Sequence, residues 1–250
     1  MDAWGIGRYE DTAAELAPVS EVAVAKLGLS GGERVLDVAC GTGNAARAAS
    51  GAGARVVGLD ASPRLLEVAR VRVPDAEFAH GDAAQLPFGD DEFDAAVSVF
   101  GVIFARPAQR AAQEMARVVR PGGRVVITTW PPRGPVFVAA SLMRQAVAGL
   151  RPPQGPPATD WGDPAVLGGL LGPYGELEVS ECQLDHHDQT PEEIWNGWES
   201  AHPMWIGARA LLEPAGEWAR LRRATIAALR EGALGAGATS PYLLASLRRH

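Results

Sequence analysis

The chain has 250 residues, of which 47% are hydrophobic and 21% are charged, and its formal net charge at pH 7 is −7. This length allows a sizeable buried core in one domain with a modest cap. The negative net charge argues against a partner such as a nucleic acid or an anionic membrane that would be held by overall electrostatic attraction. Cys40 and Cys182 lie far apart in the sequence without metal-type spacing, so we predict reduced thiols and no metal site.

The amino-terminal residues lack the basic start and the apolar stretch of a secretory signal. The longest uncharged apolar run, residues 95–105, is shorter than the ~20 residues that a membrane-spanning helix needs. These features predict a cytoplasmic protein whose partner is neither nucleic acid nor membrane. The sequence leaves a monomer and a homodimer equally open.

Residues 12–27 carry apolar groups at helical spacing and stop at Gly28, which predicts one amino-terminal helix. After it, apolar strand-like runs alternate with helical segments as far as residue 130. The predicted strands are residues 34–39, 55–60, 76–82, 93–105 and 124–130, and the predicted helices between them include 41–53, 63–71 and 106–119. Because each strand run is almost continuously apolar, we predict parallel strands covered on both faces, in a doubly wound α/β sheet.

This alternation stops after residue 150. The segment 151–164 is rich in proline and glycine and predicts a linker or surface loop. The predicted elements that follow are a strand over 177–187, a helix that begins at Thr190 with a capping box to Glu193, an amphipathic helix over 213–231 and a strand over 240–250. We therefore divide the chain into cap helices (1–30), a ligand-binding core (31–150), and a substrate cap that also completes the sheet (151–250).

A glycine-rich turn follows the first predicted strand, in the segment VLDVACGTGN (35–44). Gly41, Gly43 and Ala46 fit the G-x-G-x-x-A pattern of a dinucleotide-binding loop. Asp60 ends the next strand, where an acid that binds a ribose is expected. The glycines alone are weak evidence, because a tight strand-to-helix turn without a ligand has the same pattern.

The carboxylate of Asp37, inside the strand that leads into this turn, separates two possible ligands. The pyrophosphate of NAD is attracted by backbone N–H groups and by the positive end of the helix dipole. A carboxylate a few ångströms away would oppose that pyrophosphate. S-adenosylmethionine instead carries an ammonium and a sulfonium there, and it still has a ribose for Asp60. The acid therefore favours S-adenosylmethionine over NAD.

Five motifs in order carry a family resemblance: VLDVACGTGN, VVGLDAS, GDAAQLPF, FDAAVSVFGVIF and VRPGGRVVITTW. They resemble the class I S-adenosylmethionine-dependent methyltransferases, in particular the branch with ubiquinone/menaquinone-biosynthesis enzymes and many bacterial small-molecule methyltransferases. The resemblance covers residues 4–130 and fades after residue 150. It implies a Rossmann-like, doubly wound and mostly parallel sheet of seven strands with a helical cap.

The resemblance also implies roles around the cofactor. Gly41 and Gly43 would let the backbone approach the methionine part, and Asp37 would serve its ammonium end directly or through water. Ala39 stands where the family usually has glycine. The remaining implied contacts are Asp60 on the ribose, Ala61 beside the adenosine, Asp82 and Ala83 on the adenine, Val99 and Phe100 near the sulfonium, and Trp4 and Tyr9 closing over the cofactor.

The implied reaction is in-line attack of a nucleophile on the sulfonium methyl group, with S-adenosylhomocysteine as the product. The protein would supply mainly alignment and a dry site. We expect the acceptor to be a natural product or a quinone-like precursor, methylated on oxygen, nitrogen or carbon. The alternative is a protein that binds S-adenosylmethionine on the same fold without methylating, because the transfer step needs no signature residue.

Trp195, Trp198 and His202 share one face of the helix that begins at Thr190. They could hold a flat acceptor, with His202 as a general base. The competing interpretation, which we favour, is that the tryptophans pack the cap onto the sheet and His202 faces water. His186 and His187 are further candidate bases, and as strand neighbours they must point to opposite faces.

Overall fold

The computed structural model describes residues 2–152, 161–186, 189–231 and 239–250. These residues form a seven-stranded sheet with the strand order β3-β2-β1-β4-β5-β7-β6. The strands are β1 (Arg34–Val38), β2 (Arg55–Asp60), β3 (Glu77–His80), β4 (Phe93–Val99), β5 (Val119–Thr129), β6 (Gly175–Asp185) and β7 (Thr239–Arg249). Only β7 runs antiparallel to its neighbours, which confirms the mostly parallel doubly wound sheet.

Helices cover both faces of this sheet. In chain order the described helices are α1 (Tyr9–Glu15), α2 (Ala17–Leu27), α3 (Asn44–Gly51), α4 (Pro63–Arg72), α5 (Ala108–Val118), α6 (Pro135–Leu150), α7 (Pro164–Leu171), α8 (Pro191–Ala201), α9 (Pro203–Leu212) and α10 (Trp218–Glu231). Successive strand residues point to opposite faces. Val35 of β1 therefore packs in the layer of α2 and α3, whereas Leu36 packs in the layer of α5 and α7.

A separate hydrophobic core holds the cap together. Buried side chains of α6, α8, α9 and α10 form it, and its largest members are Trp195, Trp198, Trp205 and Trp218. The carboxylate of Glu199 accepts hydrogen bonds from Nε1 of Trp195 at 2.8 Å and of Trp218 at 2.9 Å. The helix α6, which the predicted boundary at residue 150 assigns to the core, belongs to this cluster.

The predicted single helix over 12–27 is wrong, because the chain forms α1 and α2 with a break at Leu16. Pro18, in the first turn of α2, explains the break, because it has no backbone N–H to continue the hydrogen-bond ladder of α1. The predicted end at Gly28 is confirmed, since Gly28 caps α2 in the left-handed conformation with φ 59°.

The fourth strand is shorter than predicted and ends at Val99, not at residue 105. Phe100 turns the chain with φ 55°, and the hydroxyl of Ser98 ties the strand end to its neighbour. That hydroxyl donates to the carbonyl oxygen of Val38 at 2.7 Å and accepts from the N–H of Val102 at 3.0 Å. The apolar residues after Phe100 enter a short 3₁₀ helix instead of the sheet.

Three helices outside the predicted set complete the fold: α6, α7 and α9. Pro203 begins α9 at its first position, where proline needs no N–H partner. The predicted helix over 213–231 begins later, at Trp218. Most of the predicted loop over 151–164, namely 153–160, lies outside the described residues.

Across the described ranges, no helix is both long and apolar enough to cross a lipid bilayer. Within the same ranges, no group of three or more histidine, cysteine, aspartate or glutamate side chains is placed to hold a metal ion.

Candidate functional site

A cleft opens at the carboxyl ends of β1 and β4, with about 360 Å³ of space not filled by protein atoms, which includes open solvent at its mouth. These two strands are neighbours, and the strand order reverses between them, which is where open α/β sheets bind ligands. The walls come from α1, α2, the glycine loop after β1, the start of α3 and the end of β4. The lining residues are Tyr9, Ala13, Leu16, Ser20, Asp37, Ala39, Cys40, Gly41, Thr42, Asn44, Ala45 and Val99.

Asp37 is the acidic residue of this wall, and its side chain is 2% exposed. Its Oδ2 accepts a hydrogen bond from the backbone N–H of Ala46 at 2.8 Å, and no described residue donates to Oδ1. Burial raises the pKa of Asp37 to about 7, and the nearby charge of Asp60 adds to the rise. A cation in the cleft would stabilise the ionised carboxylate, so the site fits a positively charged group.

Asp60, at the end of β2, binds the glycine loop on the side away from the cleft. Its Oδ2 accepts from the N–H of Gly41 and its Oδ1 from the N–H of Ser62, both at 2.8 Å. Burial raises the pKa of Asp60, against the hydrogen bonds from these two N–H groups. The carboxylate therefore fixes both the loop and the start of α4, a role that the sequence pattern does not reveal.

The loop itself depends on left-handed backbone conformations. Gly41 has φ 53° and Gly43 has φ 83°, values that glycine adopts without strain. A Cβ added at Gly41 would lie 3.3 Å from the ring of Tyr9, so that ring packs directly over the loop. Ala39 also has a positive φ, 55°, and thus adopts the conformation of the glycine that it replaces in the family pattern.

The loop has partners on α4 that sequence reasoning missed. Arg72 donates to the backbone oxygen of Thr42 at 2.9 Å, to its hydroxyl at 2.6 Å, and to Oδ1 of Asn44 at 3.0 Å. The amide of Asn44 in turn donates to the backbone oxygen of Ala13 in α1 at 2.5 Å. These partners are about 30 residues apart, and no local motif signals the contact.

The amino-terminal segment lies across the carboxyl edge of the sheet. Asp2 accepts a hydrogen bond from the hydroxyl of Ser62 at 2.7 Å, at the start of α4. Trp4 makes edge contacts with Tyr9, Phe104 and His202, at centroid distances of 5.8, 4.8 and 6.1 Å. Trp4 and Tyr9, which the sequence predicts to close over the cofactor, are therefore neighbours beside the cleft.

The other predicted cofactor residues differ in where they lie relative to the cleft. Val99 lines the cleft, whereas Phe100 is buried with its ring stacked on Trp130 at 3.9 Å. Ala61 and Asp82 are exposed at the carboxyl edge outside the cleft walls, and Oδ1 of Asp82 accepts from the N–H of Ala84 at 2.8 Å. The remaining residues, Gly43, Asp60 and buried Ala83, support the loops behind that edge without lining the cleft.

The cap candidates lie apart from the cleft wall. The expectation that Trp195 and Trp198 pack the cap onto the sheet is wrong, because both are buried in the cap core among other cap helices. His202 links α8 to α9 but does not face water as expected. Its ring lies beside Trp4 and Tyr9, its Nδ1 accepts from the N–H of Met204 at 3.2 Å, and burial lowers its pKa to about 4. A histidine with this pKa is a weak base.

The candidate base His186 follows the end of β6 and is not among the residues that line the cleft. His186 is buried with its Nε2 2.7 Å from the hydroxyl of Ser240. His187 lies outside the described residues.

A family profile described as a methyltransferase domain matches residues 36–127, the segment from β1 to β5 that carries the glycine loop and Asp60. Together with the sheet order, this match shows that residues 36–127 form a methyltransferase domain of the class I S-adenosylmethionine-dependent type. Proteins of this class use S-adenosylmethionine as cofactor.

Of two relatives with similar sequences, one carries a methyltransferase name. A Mycobacterium tuberculosis protein named only as uncharacterized is 37% identical over 180 residues, which are 68% of this chain and 63% of that protein. A demethylmenaquinone methyltransferase of Clavibacter sepedonicus is 43% identical over 122 residues, 47% of this chain and 50% of the enzyme. The chain thus spans less than two thirds of the length of the curated relatives it matches.

Among solved structures, the [4+2]-cyclase SpnF is similar over 98% of this chain and 85% of its own, with a TM-score of 0.59. The two sequences are 22% identical, so this similarity concerns the fold alone.

Proposed function

We propose that this protein transfers the methyl group of S-adenosylmethionine to a small-molecule acceptor. The observation that carries the proposal is the buried carboxylate of Asp37, which faces the cleft beside the glycine loop with Oδ1 free of hydrogen bonds from described residues. A buried carboxylate with unused hydrogen-bonding capacity favours a cationic ligand. The pyrophosphate of NAD would bring like charge against it and is disfavoured.

The residues of the cleft fit this cofactor. Asp37 would bind its amino group, and Gly41 and Gly43 would let the methionine part approach the backbone. Asp60 and Tyr9 would flank the ribose side, with Ala61, Asp82 and Ala83 toward the adenine. When bound, the cofactor supplies an activated methyl group and a good leaving group, while the protein aligns the reactants and excludes water.

The acceptor is proposed to be apolar and flat, such as a natural product or a quinone-like precursor. Support comes from the rings of Trp4, Tyr9 and Phe104, which form one aromatic group beside the cleft. Such rings offer apolar area and edge-to-face contacts to a flat molecule. His202 is a weak base in this group, so we propose catalysis mainly by proximity, without a strong general base.

Binding of the cofactor without methyl transfer is a second candidate. It is favoured by the similarity to SpnF, because a cyclase shows that this fold also supports other chemistry. Because one fold hosts several reactions, an assay must identify the reaction of this protein.

The test is incubation of the full chain with S-adenosylmethionine and a panel of phenols, amines and carboxylates, with release of S-adenosylhomocysteine as the readout. Release that depends on an acceptor and is lost in Asp37→Asn supports methyl transfer. Tight binding of S-adenosylhomocysteine in calorimetry without any release supports the second candidate. Thermal protection by NAD and not by S-adenosylhomocysteine would contradict both.

A further inference from the structure

The guanidinium of Arg72 reaches the glycine loop from outside the cleft. Arg72 lies in the last turn of α4 and does not line the cleft, whereas Thr42 and Asn44 both do. Its Nη1 donates to the backbone oxygen and the hydroxyl of Thr42, and its Nη2 donates to Oδ1 of Asn44. One planar fork thus fixes two nearby residues of the cleft wall.

The described residues of the cleft wall carry negative charge but no positive charge. The wall contains the carboxylate of Asp37, but none of its described residues is lysine, arginine or histidine. The methionine end of the proposed cofactor carries a carboxylate beside its ammonium, and a carboxylate needs donors or positive charge. Arg72 remains protonated, although burial and the neighbouring Arg47 lower its pKa. It brings a positive charge to the wall from behind Thr42.

The hydroxyl of Thr42 can connect the guanidinium of Arg72 to a ligand in the cleft by a hydrogen bond. Because its oxygen accepts from Arg72 at 2.6 Å, its own proton remains available for donation. Asn44 is held at the same time, since its amide donates to Ala13 of α1. The helix α4, which carries Arg72, is also joined directly to α1 by the bidentate pair of Arg64 with Glu10, at 2.7 and 3.1 Å.

We propose that Arg72 is a positioning residue for the amino-acid end of the cofactor, acting through Thr42 and Asn44. This inference rests on the proposed function. It predicts that Arg72 matters for ligands that carry the amino-acid group and not for ligands that lack it. A residue that merely supports the loop would affect both kinds of ligand equally.

The experiment compares the dissociation constants of S-adenosylhomocysteine and 5′-methylthioadenosine, which has the same nucleoside but no amino-acid group. In Arg72→Gln, we expect the constant for S-adenosylhomocysteine to rise roughly 10- to 100-fold, the worth of charge-assisted hydrogen bonds. The constant for 5′-methylthioadenosine should stay within about twofold, and Arg72→Lys should fall between, because lysine keeps the charge without the fork.

The matched control is Arg70→Gln on the same turn of α4. Arg70 is exposed, donates to the backbone oxygen of Phe78 and makes no hydrogen bond to Thr42 or Asn44, so both constants should remain as in the unaltered chain. If Arg72→Gln does not fold, Thr42→Val removes only the relaying hydroxyl and should show the same selective loss.

Equal weakening of both ligands, or no weakening in a folded Arg72 variant, overturns the positioning role and leaves the proposed function intact. Failure of the unaltered chain to bind S-adenosylhomocysteine or S-adenosylmethionine overturns the proposed function and the inference with it.

Discussion

Asp60 and Gly41 are joined by a 2.8 Å hydrogen bond, from the backbone N–H of the loop glycine to the carboxylate at the end of β2. The second carboxylate oxygen accepts from the N–H of Ser62. The expected ribose ligand is thus also a structural acceptor for two backbone groups. Binding and stability are therefore coupled at Asp60, and a single substitution there tests both.

We predict that Asp60→Ala lowers the free energy of unfolding by about 2 kcal/mol, because two N–H groups lose their acceptor. It should also weaken S-adenosylhomocysteine binding by roughly 1.5–3 kcal/mol through lost charge-assisted bonds to the ribose. Denaturant unfolding and calorimetry measure the two effects. Asp60→Asn keeps one carbonyl acceptor and should recover part of the stability but little of the affinity. An unchanged dissociation constant in Asp60→Ala would exclude the ribose role.

The raised pKa of Asp37 predicts a pH dependence of cofactor affinity. A proton on the carboxylate competes with the cationic ligand, so affinity is fully present above pH 7 and falls below it. From pH 8 to pH 6, the dissociation constant of S-adenosylhomocysteine should rise about tenfold.

In the chain without ligand, the pH dependence of the folding stability has the opposite sign. The folded state binds the proton of Asp37 more tightly than the unfolded state does, so the stability contributed by this group is lost as the pH rises from about 4 to about 7.

The matched variant for this effect is Asp37→Asn, which has the same shape and does not titrate. It should bind more weakly at pH 8 and show a flat profile between pH 6 and pH 8. His202 titrates near pH 4, outside this window. An unaltered slope in Asp37→Asn would assign the titration to another group, such as Asp60.

The core of the fold was predictable because its signals are local. A few consecutive residues are enough to predict the strands β1 and β2, the glycine loop, and the start of α4 at a proline. The contacts that hold the loop are not local. Arg72 reaches Thr42 across 30 positions, and Tyr9 reaches Gly41 only after α1 folds over the sheet.

The cap was predicted less well, for a different physical reason. The spacing of Trp195 and Trp198 shows that they share a helix face, but it does not show what that face contacts. The face meets Trp205 and Trp218, whose helices become neighbours only in the tertiary fold. Amphipathic spacing therefore predicted burial correctly but could not distinguish packing on the sheet from packing within the cap.

Ala39 offers a prediction about stability. Its φ of 55° costs an alanine roughly 1 kcal/mol relative to glycine, because Cβ crowds the backbone there. We predict that Ala39→Gly raises the free energy of unfolding by up to about 1 kcal/mol, measured by thermal or denaturant unfolding. The control is Ala227→Gly at an exposed position within α10, which should lower stability by about 0.5–1 kcal/mol. Equal destabilisation by both variants would contradict strain at Ala39.

The last prediction separates the cap core from the proposed acceptor site. Trp195 is fully buried among cap helices, so Trp195→Ala should lower the free energy of unfolding by about 3–5 kcal/mol. The milder Trp195→Phe should keep acceptor KM unchanged, because the ring does not line the cleft. Trp4→Phe changes a half-buried ring beside Tyr9 and should raise acceptor KM with a small effect on stability. A raised KM in Trp195→Phe with stability intact would instead place this tryptophan at the acceptor, as the shared helix face first suggested.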